Sequence, residues 1–348
     1  MKNLKMIFLF TFLSIVFVTP FGVVSADDVI RWKLQTVDSA SLPSYKILAQ
    51  RFCERVKEAS NGRLIITPYP AGALVPTFEV WDAMRRGMVD ISYHFLVYWR
   101  GKEPALWNAN EWVAYADRYQ SAIWYYNGGG EELLRKTLEP HGLHYLGMTS
   151  GLWGECLWSK EKLDSPDALK GKKMRAAGLA ADMATELGAS VVVLPGSEVY
   201  QALEKGVVDV AEYTNPIVNY SIGLQEVAKY VVFPPYSGGG NYDWFVNSKK
   251  WQKLPSDLKS IVELCLNEAS YLYSLENELE TARVNNKLRA MKDVTFVNWT
   301  KEDMKKVEAA RVRSMEKASQ KSPLLKDILQ SRMNILKELG YEGADYNW

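Results

Sequence analysis

The chain has 348 residues, 47% hydrophobic and 24% charged, with a formal net charge of +1. That length exceeds one ordinary core and suits two domains. A near-neutral charge with no basic stripe argues against nucleic acid as a partner. At the N-terminus Lys2 and Lys5 precede an apolar run from Met6 to Val18, then Pro20, Gly22 and the small-residue stretch Val24-Ser25-Ala26. This is a secretory signal-peptide pattern over residues 1–26, cleaved near Ala26. The run is shorter than the ~20 residues a membrane-spanning helix needs.

Ile30, Trp32, Leu34 and Thr36 alternate with polar residues and predict a strand. Tyr45, Leu48, Ala49, Phe52 and Val56 share one face of a helix, closed by Asn61-Gly62. Leu64 to Tyr69 reads as a second strand. The stretch "VPTFEVWDAMRRGMVDI", from Val75 to Ile91, then returns as "LPGSEVYQALEKGVVDV", from Leu194 to Val210, without a gap. Each copy reads as loop, helix, glycine stop and strand: Pro76, Val80, Ala83, Met84, Gly87 and a strand from Val89 to Tyr93 in the first. The second has Pro195, Val199, Ala202, Leu203, Gly206 and a strand from Val207 to Ala211. Between the copies, Gly128-Gly129-Gly130 caps a helix ending near Asn127, and a short strand ends at Arg175. Pro255-Ser256-Asp257 opens a long helix to about Met291, which could span both lobes or pack on a second subunit. Val294 to Trp299 is a strand, Thr300 with Asp303 a capping box, and Ser322-Pro323 starts the last helix.

Alternating strands and helices predict α/β domains with largely parallel sheets. The repeat predicts two such lobes, and ligands bind at the C-terminal ends of such strands. The expected fold is therefore a two-lobed, periplasmic-binding-protein-like one. A ligand cleft lies between the lobes, and the long helix spans them. Lobe I covers 27–150, completed by about 240–256. Lobe II covers 151–239, completed by C-terminal segments. The long helix follows at 257–291, then a strand and helices at 292–348.

Motifs for catalysis are missing. The three histidines form no HExxH pair, and GxSxG, P-loop and GxGxxG patterns are absent. An enzyme is not expected. Cys53, Cys156 and Cys265 form no CxxC motif, and Cys53 and Cys265 read as core. Twelve Trp and 19 Tyr are informative, because small-molecule pockets favour aromatic walls with few polar anchors. Tyr93, Tyr98, Trp99, Trp153, Trp158, Tyr213, Tyr236 and Tyr242 fall near predicted loops and strand ends. Arg175, at a strand end, suits a carboxylate held by two parallel hydrogen bonds. A surface arginine in a basic run is the alternative.

With Leu74-Val75-Pro76, Glu79-Val80, Tyr98-Trp99-Arg100-Gly101-Lys102, Leu169-Lys170-Gly171 with Lys173-Met174-Arg175, and Ala211-Glu212 assembled, the chain resembles the DctP-type solute-binding proteins of tripartite ATP-independent periplasmic (TRAP) transporters. The resemblance covers nearly the whole mature chain. It lies closest to the branch that binds 2-oxo acids and related monocarboxylates. It implies a periplasmic protein that captures a small organic acid, such as a 2-oxo acid or an aromatic or hydroxy acid, for TRAP permease subunits in the membrane. A homodimer through the long helix is a further expected partner. The resemblance also implies that Arg175 bridges the ligand carboxylate and that Glu212, Tyr213 and Tyr98 line the site. Trp153 and Ser237 stand where that branch has metal ligands, and Glu155 where many members have a second arginine. No cofactor is then required; if a cation bridges the ligand, Glu212 is its candidate holder. The alternatives are a receptor for another transporter class and a secreted enzyme on a bilobal fold, which would return its ligand chemically changed.

Overall fold

The computed structural model describes residues 29–108, 118–152, 156–238 and 240–340. Among them are the strands β1 (Ile30–Thr36), β2 (Leu64–Tyr69), β3 (Ile91–His94), β4 (Leu143–Leu152), β5 (Leu157–Ser159), β6 (Lys173–Arg175), β7 (Ser190–Val192), β8 (Val210–Glu212), β9 (Tyr230–Phe233), β10 (Gly240–Asn247) and β11 (Thr295–Asn298). Sheet I runs β2-β1-β3-β10-β4 and sheet II runs β11-β9-β5-β8-β6-β7. In both, a parallel triplet comes first: β2-β1-β3 in one, β7-β6-β8 in the other. An antiparallel strand then follows, β10 beside β3 and β5 beside β8. The two α/β lobes are therefore built alike.

The repeated stretches fold alike in detail. Pro76 (φ −52°, ψ 146°) and Pro195 (φ −54°, ψ 147°) both open a 3-10 turn that runs into a helix, Val80–Arg85 or Val199–Glu204. Gly87 and Gly206 close these helices in the left-handed region, at φ 75° and 70°, where a side chain is strained. One residue before its end, each copy has an aspartate that returns to the first strand of its triplet in chain order. Asp90 Oδ2 accepts the backbone N–H of Lys33 at 2.6 Å, and Asp209 Oδ2 that of Lys173 at 3.0 Å. The strands begin later than the sequence suggests, at Ile91 and Val210. Val89 and Val208 are buried, but the residues after them turn back to β1 and β6 before pairing begins.

The helix predicted after β1 begins as a π-helix, Tyr45–Arg51, and continues as Phe52–Ala59. Asn61 and Gly62 close it, both at positive φ. The long helix is Ser256–Ala290, 35 residues or about 52 Å, and it touches β4 and the Phe52–Ala59 helix of lobe I and the Pro216–Ser221 helix of lobe II. Helix Lys301–Ser319 starts on the expected Thr300–Asp303 capping box and packs on lobe II. The last helix, Pro323–Glu338, returns to lobe I, where the buried Arg332 guanidinium lies 4.2 Å from the ring centre of Trp124. Cys53 and Cys265 are buried, as expected for core positions, and so is Cys156. Among the described residues no helix is long and apolar enough to cross a membrane.

An added Cβ would meet nothing within 4 Å at Gly87 and only Lys160 Nζ, at 3.9 Å, at Gly206. Replacing either by alanine should therefore cost only the backbone term, about 1–2 kcal/mol. Urea unfolding checks this. Unchanged midpoints for both variants would show that the left-handed stops are not under strain.

Candidate functional site

The C-terminal ends of the two parallel triplets face each other. Ala71, Gly72 and Pro76–Glu79 of lobe I and Val193–Pro195, Ser197 and Glu198 of lobe II line the two sides of a cleft mouth of about 510 Å³. The two copies of the repeat thus form its opposing lips.

Arg175 ends β6 and is 2% exposed. A buried guanidinium needs protein acceptors for its N–H groups. Its Nε and Nη2 donate to the carbonyl of Leu194 at 3.1 and 2.9 Å, its Nη1 to the carbonyl of Glu212 at 2.7 Å, and its Nη2 to the Tyr98 hydroxyl at 3.2 Å. Tyr98 lies on the 3-10 turn Leu96–Trp99 that leaves β3, so this last bond crosses between lobes. The Arg175 guanidinium also stands 5.0 Å from the ring centre of Tyr213, within cation–π range. Glu212 is buried, and its Oε2 lies 3.6 Å from Arg175 Nη1 but takes no hydrogen bond from the described residues.

The position matching Arg175 in lobe I is Gln35: Gln35 pairs with Ser92 as Arg175 pairs with Ala211. Gln35 holds the lip of its own lobe, donating to the Val75 carbonyl at 2.7 Å and accepting the N–H groups of Leu74 and Val75 at 3.1 and 3.0 Å. Arg175 repeats the donating half of this grip, on the carbonyl of Leu194, the counterpart of Val75. It then has N–H groups to spare for Glu212 and Tyr98, and it adds a positive charge.

The copies differ again at Thr77 and Gly196. A Cβ on Gly196 would lie 1.9 Å from the Tyr213 hydroxyl and 2.2–2.4 Å from ring atoms. Only glycine lets the lip pass the Tyr213 ring. Burial holds the Tyr213 hydroxyl well above its ordinary pKa, so it stays a neutral phenol.

Of the residues expected from sequence, Arg175, Glu212, Tyr213 and Tyr98 come together here. Ser237 is buried on the segment between β9 and β10. Trp153 and Glu155 lie outside the described residues. Of the aromatics singled out, Tyr93 and Tyr242 donate to Asp38 at 3.0 and 3.3 Å. Trp158 is core within sheet II, and Tyr236 donates to the Ala180 carbonyl at 3.3 Å. Sequence reasoning missed Asp38, which is fully buried and pushed up to about 6 by burial. It also missed Arg100, whose Nη1 reaches Gly178 O at 3.0 Å and Asp182 at 3.1 Å across the cleft. Asp182 also meets the indole N–H of Trp107.

Two α/β lobes meeting over a buried arginine define a solute receptor of the bilobal class. A profile of the DctP family, bacterial extracellular solute-binding protein family 7, matches residues 34–321. The chain belongs to this family, that of the receptors of TRAP transporters, which is a family of binding proteins and not of enzymes. A monocarboxylate 2-oxoacid-binding periplasmic protein from Nostoc is 34% identical over 244 residues, 69% of this chain and 66% of that protein. A TRAP solute-binding protein from Bordetella bronchiseptica, a mixed-occupancy dimer with copurified calcium and picolinate, superposes with a TM-score of 0.83 at 26% identity, over 90% of this chain and 93% of that one. One from Colwellia psychrerythraea, with calcium and pyruvate, gives 0.81 at 26% identity over 90% and 95%.

Gly196→Ala should drive the Tyr213 ring off Arg175. Ligand affinity should fall about tenfold or more, a loss of ~1.4 kcal/mol, while the overpacked lip costs about 1–3 kcal/mol of stability. Calorimetric titration checks this, and unchanged affinity would place Tyr213 outside the ligand's surroundings.

Proposed function

We propose that the protein captures a small monocarboxylic acid in the periplasm, delivers it chemically unchanged to a TRAP permease, and is exported by a signal peptide cleaved near Ala26. The ligand carboxylate lies against Arg175, with Tyr98 and Tyr213 as walls and with Trp153, Glu155 and Ser237 completing the site. The observation that carries this reading is a buried guanidinium beside a buried carboxylate oxygen, Glu212 Oε2, that takes no hydrogen bond from the described residues.

That oxygen also bears on ligand class. It is an acceptor, so what lies against it must bring a hydrogen or a positive charge. A 2-hydroxy acid brings the hydrogen on its hydroxyl. A 2-oxo acid offers only another acceptor, and the pair then needs a cation between them; the Colwellia psychrerythraea relative has bound calcium and pyruvate. Calcium takes about six to eight oxygen ligands, and among the described residues Glu212 supplies one orphaned carboxylate oxygen. We therefore read the site as holding a hydroxy acid without a required metal.

Calorimetry of chelator-treated protein with lactate and with pyruvate, repeated with calcium chloride, tests this. Lactate binding should survive chelation. Loss of lactate binding on chelation, restored by calcium, would overturn the metal-free reading. In the same assay Arg175→Gln should keep the lip in place, as Gln35 does in lobe I, yet weaken binding by about 30-fold or more, because truncating one side of a buried pair costs about 2–5 kcal/mol. Binding as tight as the parent's would move the anchor elsewhere.

We also infer a homodimer through the long helix. Leu264, Tyr271, Leu275 and Leu279 are exposed and share one helical face. Tyr271 and Leu275 line a groove of about 240 Å³ with Tyr119 and Tyr126, and the Bordetella bronchiseptica relative is a dimer. Sedimentation should show a dimer that Tyr271→Asp with Leu275→Asp converts to monomer, with ligand affinity kept. A parent that sediments as a monomer would refute this.

A further inference from the structure

A second carboxylate is buried where the lobes meet. Asp38 follows β1 and is 1% exposed. Its oxygens accept from Tyr93 at 3.0 Å and Tyr242 at 3.3 Å. Tyr242 meets Tyr273 of the long helix edge to face, with ring centres 5.9 Å apart, and the Tyr273 hydroxyl faces both Tyr242 and Asn215. Asn215 donates to Asn277 at 2.8 Å and caps the Pro216–Ser221 helix by accepting the Val218 N–H at 2.9 Å. One orientation satisfies the run: Asn215 donates to Tyr273, Tyr273 to Tyr242, and Tyr242 to Asp38.

The run joins three parts of the molecule. Asp38, Tyr93 and Tyr242 belong to lobe I. Tyr273 and Asn277 belong to the long helix. Asn215 belongs to lobe II, in the short segment between β8 and the next helix that also carries Tyr213. A shift of Asn215 must move Tyr213. A buried polar run is costly when only partly satisfied, so it favours two discrete arrangements, joined or broken.

We propose that Asp38 is a positioning residue for lobe closure: through Tyr242, Tyr273 and Asn215 it ties sheet I to the segment leaving β8 and so sets Tyr213 over Arg175. This rests on the reading of Arg175 and Tyr213 as ligand-holding residues. The groups facing Asp38 are Ser44 ahead of the π-helix, Tyr93 of β3, Tyr242 of β10, Tyr273 of the long helix, and Tyr213 of lobe II, itself beside Arg175 and Glu212. Burial raises all four tyrosines above their ordinary values, so they stay neutral.

The direction of the pH effect follows from Asp38. Its carboxyl is raised from 3.8 to about 6 by burial, against the pull of its hydrogen bonds. Parting the lobes takes Tyr213 out of its surroundings and lets water in, which returns it toward the lower value. Closure therefore takes up a proton, and the closed form gains as pH falls through about 6.

The test needs no ligand. Spin labels at Glu79→Cys and Glu198→Cys, on opposite lips of the cleft, report the lobe separation, and Cys53, Cys156 and Cys265 are buried. The parent should show a short-distance population that grows from about pH 7 to about pH 5, and Asp38→Asn should flatten that dependence. Tyr273→Phe, which removes one hydroxyl, should lower the ratio of short to long distances about fivefold, the effect of one hydrogen bond. Tyr242→Phe, which breaks the run from lobe I, should do the same. Distance distributions unchanged in both phenylalanine variants, or a pH response retained by Asp38→Asn, would overturn the proposal. Adding lactate to labelled Arg175→Gln separates the two readings. A parent-like shift to short distances there would mean that the ligand site was misassigned, whatever the tyrosine variants show.

Discussion

One guanidinium has been taken out of water, and the cleft is arranged around that fact. Burying a charge costs several kcal/mol unless its hydrogens are satisfied. Lobe II alone answers three of Arg175's bonds, with the carbonyls of Leu194 and Glu212. The bond to Tyr98 comes from lobe I. The arginine's surroundings are therefore complete only when the lobes meet.

The internal repeat sets a charged residue and a neutral one at the same structural position. In lobe I the neutral residue is Gln35, which fixes a lip by gripping Val75. In lobe II an arginine keeps the grip and adds charge. Other differences between the copies accompany that one. Gly196 stands where lobe I has Thr77, because the Tyr213 ring fills the space. Tyr213 itself stands where lobe I has His94, whose Nδ1 accepts the Phe95 N–H and which burial keeps neutral, down to about 3. Asp90 and Asp209 do the same work in both, since the turn back to the first strand is needed whatever the cleft holds.

What could be read from sequence was local, or was written twice. The glycine stops, the Thr300–Asp303 box, the Ser322 cap and the strand ending at Arg175 depend on residues a few positions apart. The repeat made the two-lobed plan legible. Asp38, Tyr273 and Asn215 were not legible as a group, because no spacing in the chain brings β1, the long helix and the exit of β8 together. The partner of the last helix was equally hidden: an amphipathic face says that it packs, not that it returns to lobe I to set Arg332 on Trp124. The gripping role of Arg175 emerged only on comparison with Gln35, whose side chain carries no recognisable motif.

The remaining contacts across the cleft are modest. Arg100 and Asp182 are each 31% exposed, and a pair so open to solvent contributes about 0–1 kcal/mol. The indole of Trp107 adds a bond to the same carboxylate, which strengthens one point and not the whole face. Set against them, the buried run from Asp38 to Asn215 is made of neutral hydroxyls and amides ending on one carboxyl. Its members lose much if the run is half broken and gain little beyond water if it is whole. Neither set makes closure strongly favourable alone. That suits a receptor, because a ligand can shift an equilibrium only by the difference in its affinity for the two forms. A cleft held shut by its own contacts would leave a small acid nothing to decide. Among the described residues the Glu212 oxygen beside Arg175 takes no hydrogen bond, and in the function proposed above the ligand is what meets it.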